Sequence, residues 1–433
     1  MATQMTAPAD TSPPRASPWR DWRLFIPKSI SVIAQEGYSL AAFRADVLAG
    51  LTVAIIALPL AMAIAIASGV TPAQGLITAV IGGFLISALG GARFQIGGPT
   101  GAFIVVVYSV VHAHGYDGLV LATMMAGAML ILAGLLRAGA WIKYIPEPVV
   151  TGFTSGIAVI IFSSQIRDLL GLTMVDAPAD FIAKLAALWA ARETVSGAAI
   201  AVALGSLATI VLVHRLLPRW PGFLIAVIGA TLAVWALDLP VETIGSRFGA
   251  GAASGLPHFQ APDFSFARAR ELMPSAFTIA FLAGVESLLS AMVADGMTGR
   301  RHRSNCELVA QGVANIASPL FGGISATGAI ARTATNIRAG AKTPIAGILH
   351  ALFVLAFMLG LGPLLERIPL ASLAAILTIV AWNMSERERF RALLFGLRGD
   401  RAVLLATFLL TVLIDLTLAI EVGVVLGAIS GAD

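Results

Sequence analysis

Twelve apolar stretches of 15 to 25 residues, separated by short polar joints, run from residue 46 to residue 430: 46–70, 72–90, 118–136, 148–166, 195–216, 221–238, 272–294, 304–321, 343–363, 369–384, 400–414 and 416–430. A hydrocarbon core about 30 Å thick takes roughly 20 apolar residues to span as a helix. Inside lipid every backbone N–H and C=O needs a partner, and within one stretch of this length only a helix supplies it. Two further segments, 100–113 and 328–338, are apolar or helix-prone but too short to cross. Counting them gives fourteen segments, and the predicted class is an all-α membrane protein. Only 12% of the 433 residues are charged and 58% are hydrophobic, which excludes a water-soluble globular domain, where about 25% are charged.

Charge places the ends. Residues 1–45 read as a polar cytosolic arm, with Arg15, Arg20, Arg23, Lys28 and Arg44 and no apolar core of signal-peptide type. With the N-terminus inside, the inward loops carry most Lys and Arg, among them Arg93, Arg137, Lys143, Arg215, Arg219, Arg300, Arg301, Arg303, Arg338 and Lys342. An even number of crossings returns the C-terminus to the cytoplasm of a bacterial inner membrane. Residues 179–192 read as an amphipathic helix at the interface, where Asp180, Lys184, Arg192 and Glu193 punctuate an apolar stripe. The net charge of +4 includes no basic block long enough to follow a nucleic-acid backbone. The single cysteine, Cys306, belongs to no zinc or redox motif. The sequence calls for no metal, no cofactor and no catalytic residue: an intramembrane enzyme needs paired His, HExxH or a Ser/His pair, and no such set is present.

Three short strings recur in order. Leu48-Ala49-Gly50 returns as Leu282-Ala283-Gly284, Ala73-Gln74-Gly75 as Ala310-Gln311-Gly312, and Thr100-Gly101-Ala102 as Thr327-Gly328-Ala329, at offsets of 234, 237 and 227. They divide a transport domain over 46–433 into a repeat at about 46–240 and another at about 270–430. Seven segments per repeat is an odd number, so the second repeat enters from the opposite side and the repeats are inverted, as in secondary transporters. The two short segments are third in each repeat, and each follows a Gly-Gly. Read as half-helices capped by Thr100 and Thr327, they aim their N-termini at one spot near the midplane. Each N-terminus offers unpaired N–H donors and about half a positive charge, which makes an anion site. The same glycines also suit close helix packing.

Few charges lie within the spans. Glu286 sits mid-span, at a cost of about 2.5–3.5 kcal/mol on insertion scales, with Ser290 one turn along. A proton on Glu286 and an anion beside it would each favour the other, which is a physical basis for proton–anion symport. The alternative is a structural carboxylate held by backbone N–H groups. Arg332, one turn into the second half-helix, either adds positive potential for the anion or braces a carbonyl. His350 reads as packing, and Asp415 and Glu421 as solvated ends.

Asp46-Val47-Leu48-Ala49-Gly50-Leu51-Thr52-Val53 running to Leu58-Pro59, the stretch Gly152-Phe153-Thr154-Ser155-Gly156-Ile157-Ala158, the run Glu286 to Arg301 and Gly328 to Asn336 together resemble the SulP (sulfate permease) anion transporters, solute carrier family 26, in their bacterial branch. The resemblance covers about 45–430. It implies seven plus seven inverted helices, with a core (segments 1–4 and 8–11) moving against a gate (5–7 and 12–14) in a homodimer. It implies a site of Thr100, Gly101, Ala102, Glu286, Ser290, Thr327, Gly328, Ala329 and Arg332. Members commonly carry Gln and an aromatic where this chain has Leu60 and Ile64, bicarbonate members carry Asp where it has Glu286, and a C-terminal STAS domain is absent. The expectation is a secondary active transporter coupling protons, through Glu286, to a small carboxylate or dicarboxylate such as fumarate. The alternative is a sulfate or bicarbonate carrier using sodium or exchange.

Overall fold

The computed structural model describes residues 21–142 and 144–430, so Arg15, Arg20 and Lys143 lie outside the described residues. The apolar stretches fold as helices: α1 (Leu40–Ala67), α2 (Pro72–Leu89), α3 (104–114), α4 (116–135), α5 (Glu147–Leu170), α6 (Gly197–Leu216) and α7 (Gly222–Leu237). The second set is α8 (Phe266–Thr298), α9 (Ser304–Leu320), α10 (Ile330–Arg338), α11 (Ile345–Leu365), α12 (Leu370–Met384), α13 (Arg398–Leu413) and α14 (Leu416–Ser430). By length and composition, seven helical runs among the described residues suffice to cross a membrane. The α3 and α4 helices form one run, Ile104–Leu135, turned at Gly115, whose φ of 72° a side chain would oppose. The start of α1 corrects the expected boundary at 45/46. Ser39 caps the helix by accepting from the Ala42 N–H at 3.1 Å, so Arg44 and Asp46 are already helical.

Packing separates two bodies. In the core, α4 lies on α8 and α9, and α11 lies on α1 and α2. In the gate, α5 lies on α12 and α13, α12 also on α6, α6 on α7 and α13 on α14. Each of these packings in one repeat has its counterpart in the other, as an inverted repeat requires. Where α4 crosses α9 the backbones touch: a Cβ on Gly312 would lie 2.5 Å from the Gly127 carbonyl oxygen. Small residues permit that approach where helices gain little from the hydrophobic effect.

The half-helices meet through a ladder, β1 (Gly97–Gly98) antiparallel to β2 (Thr327–Gly328), with Gly97 opposite Gly328 and Gly98 opposite Thr327. The Ala329 N–H extends it, donating to the Ile96 carbonyl at 2.8 Å. A two-fold axis through either rung relates the repeats by 229 or 231 residues. The recurring Thr-Gly-Ala string, at 227, is therefore out of register, and the position matching Arg332 falls at or beside Ala102. Capping departs from the expectation too. Thr327 lies in β2, its hydroxyl donating to the Ala283 carbonyl at 3.1 Å, and Ala329 is the N-cap of α10. Thr100 precedes a 3-10 turn, Gly101–Phe103, but its hydroxyl makes no capping bond.

A helix over Lys28–Glu36 straps one end of the core. Its Lys28 N–H donates to the Gly90 carbonyl at 3.0 Å, Arg93 forks onto Glu36 at 2.9 and 2.7 Å, and Arg303 donates to the Ile26 carbonyl at 2.6 Å. Beside it the fully buried Asp46 carboxylate accepts from Tyr38 Oη (2.7 Å), Lys342 N (2.7 Å), Thr343 N (3.1 Å) and Thr343 Oγ1 (2.6 Å). At the opposite end the expected amphipathic helix spans Phe181–Ala190, with Asp180, Arg192 and Glu193 exposed around it, but one of its polar residues turns inward. Ile182 and Trp189 are 61% and 70% exposed, while Lys184 is 3% exposed and faces the protein.

Candidate anion site

Between core and gate lies a cavity of about 340 Å³. The core wall is Leu60 and Ile64 of α1, the turn Thr100, Gly101 and Ala102, Glu286 of α8, and Ala329 to Arg332 at the start of α10. The gate wall is Thr154 of α5, Phe223 of α7, Val380, Asn383 and Met384 of α12, and Glu386 beyond it. Glycine at 101 lets the gate close on the half-helix, since a Cβ there would meet Met384 Sδ at 2.8 Å.

Six of the nine expected residues come together on this cavity: Thr100, Gly101, Ala102, Glu286, Ala329 and Arg332. The other three stand behind the wall. Ser290 is fully buried and donates to Thr333 Oγ1 at 3.2 Å, because one turn below Glu286 its side chain meets α10. Thr327 and Gly328 are held in the ladder, and a Cβ on Gly328 would strike the Gln95 amide at 2.1 Å.

The charged residues divide the work. Glu286 faces the cavity and makes no hydrogen bond or ion pair with any described residue. The backbone-held carboxylate considered from sequence is thus not what the side chain adopts. Arg332 does brace a carbonyl, donating from Nη2 to Pro99, yet it also lines the cavity and has no carboxylate partner among the described residues. Its 3% exposure makes that a nearly desolvated positive charge at the junction of both half-helix starts. His350 is fully buried between α2 and α11 as packing. Asp415 and Glu421 are exposed.

Sequence reasoning passed over Glu386 and Glu307. Glu386 sits among Arg387, Glu388 and Arg389, a mixed run that reads as a loop, and its φ of 42° turns it toward the cavity. Burial holds its carboxyl above the usual range, with Arg389 pulling down and Glu147 pushing up. Glu307 is fully buried: its carboxylate accepts from Gln311 Nε2 (2.8 Å), Gln95 Nε2 (3.4 Å) and Ala92 N (3.1 Å). Gln95 in turn donates to the Ser287 carbonyl at 2.8 Å, so this network locks α9 to β1 and α8 behind the cavity wall. The Glu307–Gln311 spacing of four residues, with a carboxylate inside an expected span, was the available signal.

Residues 43–407 match the model of the sulfate permease family. A putative sulfate transporter of Bacillus subtilis, YvdB, is 46% identical over 392 residues, covering 90% of this chain and 74% of that protein. The bicarbonate transporter BicA of Synechocystis is 34% identical over 408 residues, covering 90% and 70%. Among solved structures, the transmembrane domain of a cyanobacterial BicA superposes with a TM-score of 0.77 at 31% identity, covering 92% of this chain and 99% of that one. Murine Slc26a9 in its inward-facing state superposes at 0.85 over 100% of this chain and 77% of that one; at 18% identity it speaks to the fold alone.

Proposed function

The chain belongs to the sulfate permease family, an integral membrane family of anion transporters, and from that premise we propose that it couples protons to the uptake of a small carboxylate or dicarboxylate by alternating access. The observation that carries the reading is Glu286, which faces the cavity with no hydrogen-bond or ion-pair partner among the described residues, on the same cavity as a buried Arg332 with no carboxylate partner among them. An anion drawn by Arg332 and the half-helix N-termini meets that carboxylate, and a proton on Glu286 removes the repulsion. Anion and proton therefore bind cooperatively, and neither crosses readily alone. The core carries Arg332, Glu286 and both half-helices, so it moves as the loaded body against the gate. The arm end, rich in Arg93, Arg300, Arg301 and Arg303, faces the cytoplasm with both termini, in a homodimer in a bacterial inner membrane.

A second reading, a bicarbonate or sulfate carrier using sodium or exchange, is favoured by the names of the relatives, whereas the less polar Leu60 and Ile64 on the cavity wall speak against sulfate. Uptake of labelled fumarate, sulfate and bicarbonate into proteoliposomes, with and without an inward proton gradient, separates the two. Gradient-driven accumulation of fumarate that disappears in Glu286→Gln supports symport. Transport of sulfate or bicarbonate that ignores the proton gradient, in both proteins, replaces it with the second reading.

A further inference from the structure

The helix Phe181–Ala190 turns Ile182, Leu185 and Trp189 outward and buries its one cation, Lys184, beside Leu188. Lys184 points into a cavity of about 100 Å³ at the end opposite the arm, between the end of α1 (Ile66), α3 (Ile104, Tyr108) and α5 (Gln165, Arg167). One residue separates Ile104 from Ala102 in the central site, so this cavity lies on the outer seam of core and gate, along the first half-helix. A buried ammonium is normally paired, and this one has no ion-pair partner among the described residues. Its ammonium lies 5.9 Å from the Tyr108 ring centroid, and no carboxylate reaches it among the described residues. The one acid on the cavity wall among the described residues is already taken: Asp168 is forked by Arg247 at 3.1 and 2.7 Å. Arg167 spends Nη2 on the Met174 carbonyl (2.8 Å) and leaves a buried Nε unpartnered.

We propose that Lys184 and Arg167 form an outer capture site, which takes a small oxyanion or carboxylate from outside before it enters the central cavity. The inference rests on the transport reading above for which end is outside. The size agrees, since one water occupies on the order of 10–15 Å³ of such space, leaving room for a bicarbonate- or sulfate-sized anion. The absence of a protein counter-charge gives the anion a role that no side chain fills. Burial lowers the Lys184 ammonium to about 8, so the site holds its charge at neutral pH and loses it in mild alkali. The ionisable groups around it are Arg167 and Asp168 from α5, Tyr108 and the stacked His112 from α3, Arg247 from the short helix Ile244–Phe248, and Asp176 and Asp180 before its own helix. The neighbouring end of α13 adds none before Asp415.

The test measures KM for sulfate, bicarbonate and fumarate from each face, in intact cells and in inside-out vesicles. Lys184→Met should raise KM from outside about tenfold, leave kcat within twofold and leave KM from inside unchanged. Lys184→Arg should restore KM and remove the rise that wild type shows as external pH goes from 7 to 9. An unchanged external KM in Lys184→Met, or an equal rise at both faces, overturns the proposal while leaving transport intact. If wild type moves none of the three anions, the transport reading fails by itself. Equilibrium dialysis of labelled sulfate then decides the capture site alone: binding about tenfold tighter in Arg332→Met than in Arg332→Met/Lys184→Met supports it, and identical binding by the two refutes it.

Discussion

Replacing Arg332 by methionine isolates what one desolvated charge does for an anion. The guanidinium is 3% exposed, lines the cavity, and has no carboxylate partner among the described residues. At a separation of about 6 Å and an effective dielectric near 20, a unit anion gains about 3 kcal/mol from it. That is roughly a hundredfold in Kd. The half-helix dipoles remain in Arg332→Met, so binding should weaken about 100-fold without vanishing. Arg332→Lys keeps the charge but loses the Nη2 donor that holds the Pro99 carbonyl, and should fall within about tenfold of wild type. The assay is equilibrium binding of a labelled anion to detergent-purified protein, with thermal unfolding run alongside. The empty Arg332→Met protein loses one hydrogen bond, about 0.5–1.5 kcal/mol, and sheds an unpaired buried charge, so its Tm should stay near wild type. A Kd within threefold of wild type in a folded Arg332→Met protein would refute the reasoning and leave Arg332 as a brace only.

Other substitutions report on what holds the site. Asp46→Ala strips the acceptor from four donors at once and should cost about 3–5 kcal/mol, read as a Tm drop of several degrees that Asp46→Asn partly recovers. Gly312→Ala forces α4 and α9 apart, since its Cβ would sit 2.5 Å from a carbonyl oxygen, whereas a Cβ on Gly296 meets nothing within 4 Å. Overpacking should cost the first about 1–3 kcal/mol and leave the second neutral or slightly stabilised, by thermal unfolding of both. Lys184 binds its proton more weakly folded, at about 8, than unfolded, at 10.5. The unfolded chain therefore holds more protons between those values, and stability should rise with pH across that window by on the order of 3 kcal/mol in anion-free buffer. Lys184→Met should flatten that rise and be the more stable protein at pH 7.

The layout was legible because lipid leaves so few choices. Apolar length alone marks the crossing helices, and the two segments too short to cross are the ones that turn inward. Glu286 and Arg332 were legible for the same reason, since a charge within a span needs a purpose. Register was not legible. In an Ala- and Gly-rich chain a shared Thr-Gly-Ala carries little information, and only the pairing of Gly97 with Gly328 fixes which residues correspond. Facing was not legible either. Ser290 shares a helix face with Glu286, yet Thr333 of α10 takes its hydroxyl. Lys184 fits a stripe of polar punctuation in sequence, but the partners that draw it inward come from α3 and α5, more than a dozen residues away. Periodicity records that a side differs from its opposite without recording which one the neighbours will cover.

The ladder between Gly97–Gly98 and Thr327–Gly328 also sets a timetable for biogenesis. The first half-helix is made and inserted while its partner strand is still about 230 residues from synthesis. At about 5–20 residues per second the wait is roughly 10–45 s. During that interval the backbone at Ile96 to Gly98 lies at membrane depth with open hydrogen-bonding groups, which bare lipid does not satisfy. The nascent first repeat must therefore keep that segment hydrated or shielded by the insertion machinery. A ribosome stalled before Ile330 should leave a polypeptide that is inserted but marked for proteolysis.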